Sequence, residues 1–468
     1  MTSKLSSSTP LLGDKGQGSQ QTYFSSPLDQ NVYVIDSHLE HERRRQRVRR
    51  HRWCFVLVLA TVILVSSWKG VYRFAHSLVH HHRAEIMSGE PASTFDIWPG
   101  DPEGDFDCIN GDQWDDVDTV LPNIEQYHHF SAKTSFKLPI DSDALAFVAR
   151  GAWTYGHVDV VAGDGDEVSV DVVAEYHNRP ALDRVTVCRF HYDRDGRDGV
   201  GIFSPRERHR HDRRETVYLH MVIRLPAHGR LIRQVPSFFT AMPLYSQTVN
   251  DLTEGFEFGR ISLASTNQQI HVKDIRAHDI NVHTTNAAII GAFNTSDSLK
   301  LATTNSPIKV DVTAFNHDNA NDLILHTTNA LLAANFSLLQ SPASSSAARF
   351  KVTTATTNGH LRVNYLTSPA DAVLEATAST TNSPAWVRLD SAYEGTFAAS
   401  TTHFTPSIER RTDVEDPAGR RRSRHVEVNT QIRGFVRGFA SWLPSEHEKG
   451  QPGSINVHTT NNHLFLSV

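Results

Sequence analysis

The chain has 468 residues, a formal net charge of −6, 39% hydrophobic residues and three Cys. These values exclude collagen-like, disulfide-dense miniprotein and wholly disordered chains. The charge is unevenly placed: residues 41 to 52 carry seven Arg against one Glu, whereas residues 88 to 118 carry ten acids and no Lys or Arg.

Residues 1–52 read as a disordered, basic cytosolic tail, rich in Ser, Gln and Gly before its Arg cluster. The run Trp53 to Trp68 is uncharged over 16 residues, about 24 Å of helix at ~1.5 Å per residue. Extension through Gly70, Val71, Tyr72 and Phe74 gives a transmembrane signal anchor over residues 53–74, with Lys69 and Arg73 snorkelling outward. The seven Arg before it outweigh Lys69, Arg73 and Arg83 after it, so the N-terminus is expected in the cytosol and the C-terminus in the lumen or outside the cell. The expectation is therefore a single-pass type II membrane protein of the secretory pathway or cell surface.

Residues 75–130 read as an acidic linker, in which His80 to His82 are solvated rather than metal ligands. Cys108 and Cys188 share the oxidising side of the membrane, and their separation in sequence leaves a disulfide between them open. The sequons at Asn294 and Asn335 fall in the same compartment and mark candidate glycosylation sites.

From residue 131 the pattern has period two. Val168, Val170 and Val172 alternate with polar residues, as do Val217, Leu219, Met221, Ile223 and Leu225, so residues 131–254 are expected to be β-rich. Asp164-Gly165 lies between two such runs and suits a tight hairpin turn.

Residues 255–468 carry a repeat. Its corners are Ser265-Thr266-Asn267, then Thr-Thr-Asn ending at Asn286, Asn305, Asn329, Asn358, Asn382 and Asn461, with Thr401-Thr402-His403 as a degenerate copy. The Asn steps up to Asn382 are 19, 19, 24, 29 and 24 residues, a coil-sized period with loop insertions. Apolar residues recur six and four positions before the Asn (Ile261 and Leu263; Ile280 and Val282) and three and five after it (Ile270 and Val272; Leu361 and Val363). Each flank is therefore a strand with one inward face. The step from four before to three after is odd, so alternation breaks once inside the motif, which must be a corner. Asn suits the left-handed conformation such a corner calls for, and its amide can bond to the equivalent Asn of the next coil.

The expected fold is all-β: a parallel β-solenoid whose coils stack ~4.8 Å apart, preceded by a β-rich region and the anchor helix. A tandem run of antiparallel hairpins is the alternative. An inserted, solvated loop is expected at about residues 409–453, with Arg410, Arg411, Arg420, Arg421, Arg422 and Arg424 as a candidate dibasic processing site, and residues 454–468 return to the motif to close the array. The repeated corners with their I-x-V and L-x-L flanks resemble the adhesin-like β-repeat domain of uncharacterised bacterial and fungal proteins, and the basic tail and single anchor resemble fungal membrane proteins that carry it. The resemblance implies a β-helical fold and supplies no catalytic residues.

No catalytic, cofactor or metal motif stands out, so none of these residues is assigned. The acids Asp274, Asp279, Asp297, Asp311, Asp322, Asp371 and Asp390 occupy different offsets from the corners, and glycoside cleavage needs two converging carboxylates. His283, His326 and His458 share one outward offset in nonconsecutive repeats. The expected function is an outward-facing surface interaction, with cell-wall carbohydrate or a protein partner and without nucleic acid. The alternative is a carbohydrate-active enzyme, either lyase- or hydrolase-like or a type II glycosyltransferase.

Overall fold

The computed structural model describes residues 97–99, 103–117, 129–206, 213–227, 229, 231–317, 319–342, 347–443 and 452–468. The tail, the apolar run at 53–74 and His80 to His82 lie outside them. No helix among the described residues is long and apolar enough to cross a membrane. Contacts divide the chain after Ser88, and all described residues belong to the second unit, Gly89–Val468.

The described residues are all-β, with 27 strands joined in one network of pairings and a single short α-helix, Arg179–Leu182. From Phe256 to Arg388 every repeat strand pairs in parallel with its equivalent one repeat away. Before the corner, Ile261, Ile280, Leu299, Leu323, Val352 and Ala376 face one another in register on successive strands. After it, Ile270, Ile289, Ile308, Leu332, Leu361 and Ala385 do the same. Both rows are buried, so two parallel sheets meet across one core. The antiparallel hairpin arrangement does not describe this region.

The extra residues of the longer repeats lie between the post-corner strand and the next pre-corner strand, as between Ile308–Asn316 and Asn321–His326. That turn tolerates insertion because the core rows do not run through it. Where the turn would bury polar groups, two buried Asn satisfy them. Asn316 Nδ2 donates to the carbonyls of Asn319 and Arg349 and to Asn321 Oδ1, while Asn321 Nδ2 donates to the Ser296 carbonyl.

The corners are held by two ladders. Each Asn side chain donates to the Oδ1 of the Asn one rung back, at 2.7 Å from Asn286 through to Asn461. None of these Asn is left-handed: among the described residues the non-Gly residues of positive φ are Asp371 and Arg421, so the expected conformational role of Asn is replaced by the amide chain alone. The second ladder is the first Thr of each motif. It is buried, and from Thr303 onward its hydroxyl donates to the carbonyl just after the Asn of the adjacent rung: Thr327 to Ser306 at 3.1 Å, Thr356 to Ala330 at 3.1 Å and Thr380 to Gly359 at 3.2 Å, while Thr284 donates to the Thr266 carbonyl. Thr327→Val keeps the shape and deletes one such bond, leaving the partly buried Ser306 carbonyl short of a donor. It is expected to cost about 1 kcal/mol, no less than Asn329→Ala at the exposed ladder, as read by urea unfolding of the two variants.

Spatial order departs from chain order at both ends. Residues 453–468 do not close the array. Gly453–Thr459 pairs with Val373–Thr380 on one side and Gly395–Thr401 on the other, and Leu464–Ser467 lies between Ala385–Arg388 and Ser407–Glu409. Asn461 accordingly bonds Asn382, across 79 residues of sequence. Toward the N-terminus, Ala144–Arg150 sits between Arg197–Phe203 and Arg233–Ala241, and Thr154–Gly163 between Val217–Pro226 and Tyr245–Asp251, all in parallel. The turn at Asp164-Gly165 is therefore no tight hairpin, since Val217–Pro226 separates the strands it joins.

Antiparallel strands cover both ends. Val168–Tyr176 and Phe130–Leu138 continue one sheet, and Thr186–Tyr192 and Asp105–Ile109 the other. Strand pairing thus begins inside the segment expected to be a linker, where Cys108 faces Cys188 and is disulfide-bonded to it. At the far end Phe435–Leu443 and Ser423–Ile432 extend from Gly395–Thr401. Such covers keep long parallel edges from templating further strands.

Candidate interaction face

In a sheet with one face in the core, alternate residues form rows on the outside, at the rung spacing of ~4.8 Å. On the post-corner sheet the row four residues after the Asn runs Lys309, Ala333, Arg362, Trp386, Phe465 and Ser407. The parallel row two residues further along runs Asp311, Asn335, Asn364, Arg388, Ser467 and Glu409. Trp386 is 51% exposed. The Arg362 guanidinium lies 5.9 Å from its ring centre, and Phe465 packs on its other side at 6.0 Å. Beside Phe465, around the corner, the Phe404 and His463 rings lie 4.0 Å apart, tilted by 45°. Among the described residues no ion pair joins Arg362 or Arg388 to a carboxylate, so a cationic aromatic patch faces outward. Neither Trp386 nor the two Arg was singled out from sequence, although their outward offsets, four residues after the Asn for Arg362 and Trp386 and six for Arg388, are readable from the repeat.

The predicted site residues are dispersed. Asn294 Nδ2 donates to Asp274 Oδ1 and the Ile275 carbonyl, and Asn335 Nδ2 donates to Asp311 while its own oxygen accepts from Asn364. Both sequons thus lie within paired strands, with their amides engaged. The acids have separate partners: Asp279 accepts from Ser298, Asp322 lies 3.6 Å from Lys351, Asp297 lies 3.8 Å from His278, Asp371 binds Arg420, and Asp390 accepts from the Ser368 and Ala392 amides. One acid pair does meet: Asp251 faces Asp274 on the neighbouring strand, and burial first, then Asp251, holds the Asp274 carboxyl above its usual range.

His283 and His458 face outward and are partly covered, which holds both imidazoles below their usual range. Each lies between small neighbours, Ala264 and Ala302 for His283 and Ser379 and Ser400 for His458. Among the described residues no group of three or more His, Cys, Asp or Glu is placed to hold a metal ion.

The basic segment begins as an irregular, largely exposed loop over residues 410–422, with two of its arginines turned inward. Arg422 and Arg424 are buried: Arg422 bridges Glu394 at 3.1 Å and Asp416 at 3.0 Å, Arg424 donates to the Tyr393 carbonyl, and both stack on buried Trp442. Arg420 binds Asp371 through two nitrogens. Arg410, Arg420 and Arg421 are exposed, whereas Arg422 and Arg424 are enclosed, so a dibasic processing enzyme would find only part of the segment accessible.

A polar network not anticipated from sequence sits on the same sheet near its other end. His157 Nδ1 is 2.7 Å from Ser246 Oγ and its Nε2 3.0 Å from Asp159, whose second oxygen is 2.8 Å from His220 Nε2. Burial raises the Asp159 pKa, but the His220 hydrogen bond and the two His charges outweigh it, so the carboxyl stays below its usual range. The four residues come from three strands, and only their shared outward parity marks them in the sequence.

No protein-family model matches the chain, and a search of curated proteins gives no match. Among solved structures, the crystal structure of a putative cell adhesion protein from Clostridium sporogenes is similar at 7% identity and a TM-score of 0.18, over 72% of this chain and 99% of that chain.

Proposed function

We propose that this chain is a membrane-anchored protein whose outward-facing domain is a parallel β-solenoid of the adhesin-like β-repeat kind, acting by surface interaction rather than catalysis. The observation that carries the reading is the outward row of exposed Arg362 and Trp386 and half-buried Phe465 on in-register strands. A rigid sheet presents these rings at little entropic cost, as binding surfaces require. The anchor rests on the apolar run Trp53 to Trp68 and the Arg cluster before it. The Cys108–Cys188 disulfide supports an oxidising compartment for the domain.

Two measurements test the reading. Alkaline carbonate is expected to leave the full chain in membranes; extraction by carbonate overturns the anchor. Cells displaying the chain are expected to adhere to cell-wall glycan or to other cells more strongly than cells without it, and equal adhesion overturns the surface role. The carbohydrate-active enzyme reading keeps one observation in its favour, the facing Asp251 and Asp274 with the raised Asp274 pKa. Reducing sugar released by the purified protein and lost in Asp274→Asn favours it over the first.

A further inference from the structure

We propose that the post-corner face around Trp386 docks an acidic polysaccharide, one pyranose ring stacking on the Trp386 indole while its carboxylate or sulfate group is held by Arg362 and Arg388. The inference rests on the surface-interaction reading and names its ligand class.

Trp386 is half-exposed in a row where other rungs place Lys309, Ala333 or Ser407. A purely structural Trp gains by burial, so an exposed one on a rigid strand is a stacking platform awaiting a flat apolar partner. The C–H face of a pyranose is such a partner. The two Arg fix its charge. Arg362 faces Trp386 from the preceding rung, and Arg388 lies two residues along the same strand, on the same face. Each guanidinium offers a planar fork that fits a carboxylate or sulfate. The acids on these rows stand apart: Asp311 is tied to Asn335 and lies two rungs before Asn364, and Glu409 lies two rungs beyond Arg388. Arg411 lies near enough to Arg388 for their charges to repel, with Asp390 and Glu409 offsetting part of that repulsion. Phe465 and Phe404 continue the aromatic surface past Trp386, so a chain of sugars can run along the stack. A neutral glycan leaves both charges unmatched, and an acidic peptide leaves the ring face unused.

The intact chain in detergent micelles is titrated with polygalacturonate, dextran sulfate, neutral dextran and polyglutamate. Polygalacturonate or dextran sulfate is expected to bind, the stronger of the two identifying the acid group, and dextran is expected to bind at least tenfold more weakly. Trp386→Ala is expected to weaken acidic-glycan binding at least tenfold and Trp386→Phe far less. Arg362→Ala and Arg388→Ala each weaken it severalfold and flatten its salt dependence. Unchanged unfolding midpoints in the variants separate docking from folding. Binding that is indifferent to Trp386→Ala, or equal binding of polyglutamate or dextran, overturns the proposal. Absence of acidic-glycan binding in a chain that still confers adhesion overturns it too, and leaves the surface-interaction reading standing.

Discussion

Deletion of residues 453–468 is expected to release everything from Gly395 to Leu443 while the earlier rungs, from Phe256 to Gln340, stay folded. The deleted segment is one rung of both sheets, and its removal leaves Val373–Thr380 and Gly395–Thr401, and likewise Ala385–Arg388 and Ser407–Glu409, without the strand that joins them. It also removes the buried side chains of Ile455, Val457, Leu464, Leu466 and Val468. At about 1.5–3 kcal/mol for each such side chain before entropy is counted, the loss is comparable with the whole stability of a typical domain. Repeat arrays couple mainly to their nearest neighbours, so the damage propagates outward to the last strands rather than back through the stack. Amide hydrogen exchange reads the outcome directly. Protection should vanish across residues 395–443 and persist across 256–340. Retained protection at 395–443 would mean that Gly395–Thr401 repairs directly onto Val373–Thr380, and that the inserted rung is dispensable.

The same rung shows what the sequence can and cannot carry. The offsets around Asn461 are those of every other repeat, with Ile455 and Val457 before it and Leu464 and Leu466 after it. They specify strand, corner and inward face, because period two and its single break are local properties. They do not specify neighbours, since each rung offers its neighbours nearly the same ladder, and the order of rungs is decided by connection lengths and by the antiparallel strands that close the ends. The left-handed corner expected of Asn is absent for a related reason. An amide ladder between rungs and a left-handed corner both favour Asn, and only the backbone distinguishes them. The buried Thr ladder was hidden because hydroxyl-bearing residues read as surface, whereas Thr327 and Thr459 are fully enclosed with their hydroxyls bonded to carbonyls. At the candidate site, parity placed Arg362, Trp386 and Arg388 outside, but the pairing register was needed to show that they adjoin.

Arg422→Ala is expected to unfasten the C-terminal cover and to open the basic segment to proteases. Arg422 is enclosed between two acids: its side chain donates to Glu394 at 3.1 Å and to Asp416 at 3.0 and 3.2 Å. Asp416 also accepts the backbone amides of Ala418, Arg420 and Arg422, so one carboxylate organises the whole loop. Glu394 in turn accepts the Trp442 amide, which links the loop to Phe435–Leu443. Removing the guanidinium leaves buried carboxylates facing each other without a cation, a far larger loss than an exposed pair would bring. Exchange across residues 411–443 should accelerate on the order of a hundredfold, and an Arg-specific protease that spares the native chain at Arg420 to Arg422 should cut the variant at Arg420 and Arg421. The pH dependence supplies an independent check. The hydrogen bond from Arg422 is the main cause that holds Asp416 well below the usual carboxylate range, so its ionised form is favoured in the folded chain. A depressed pKa stabilises the fold fully above the unfolded value of about 4 and progressively less as pH falls below it toward the folded value. The native cover should therefore loosen on acidification below that point, and Arg422→Ala should flatten that acid-side slope, because the variant has lost the main cause of the depression. An unchanged slope in the variant would show that the backbone amides alone hold the Asp416 charge.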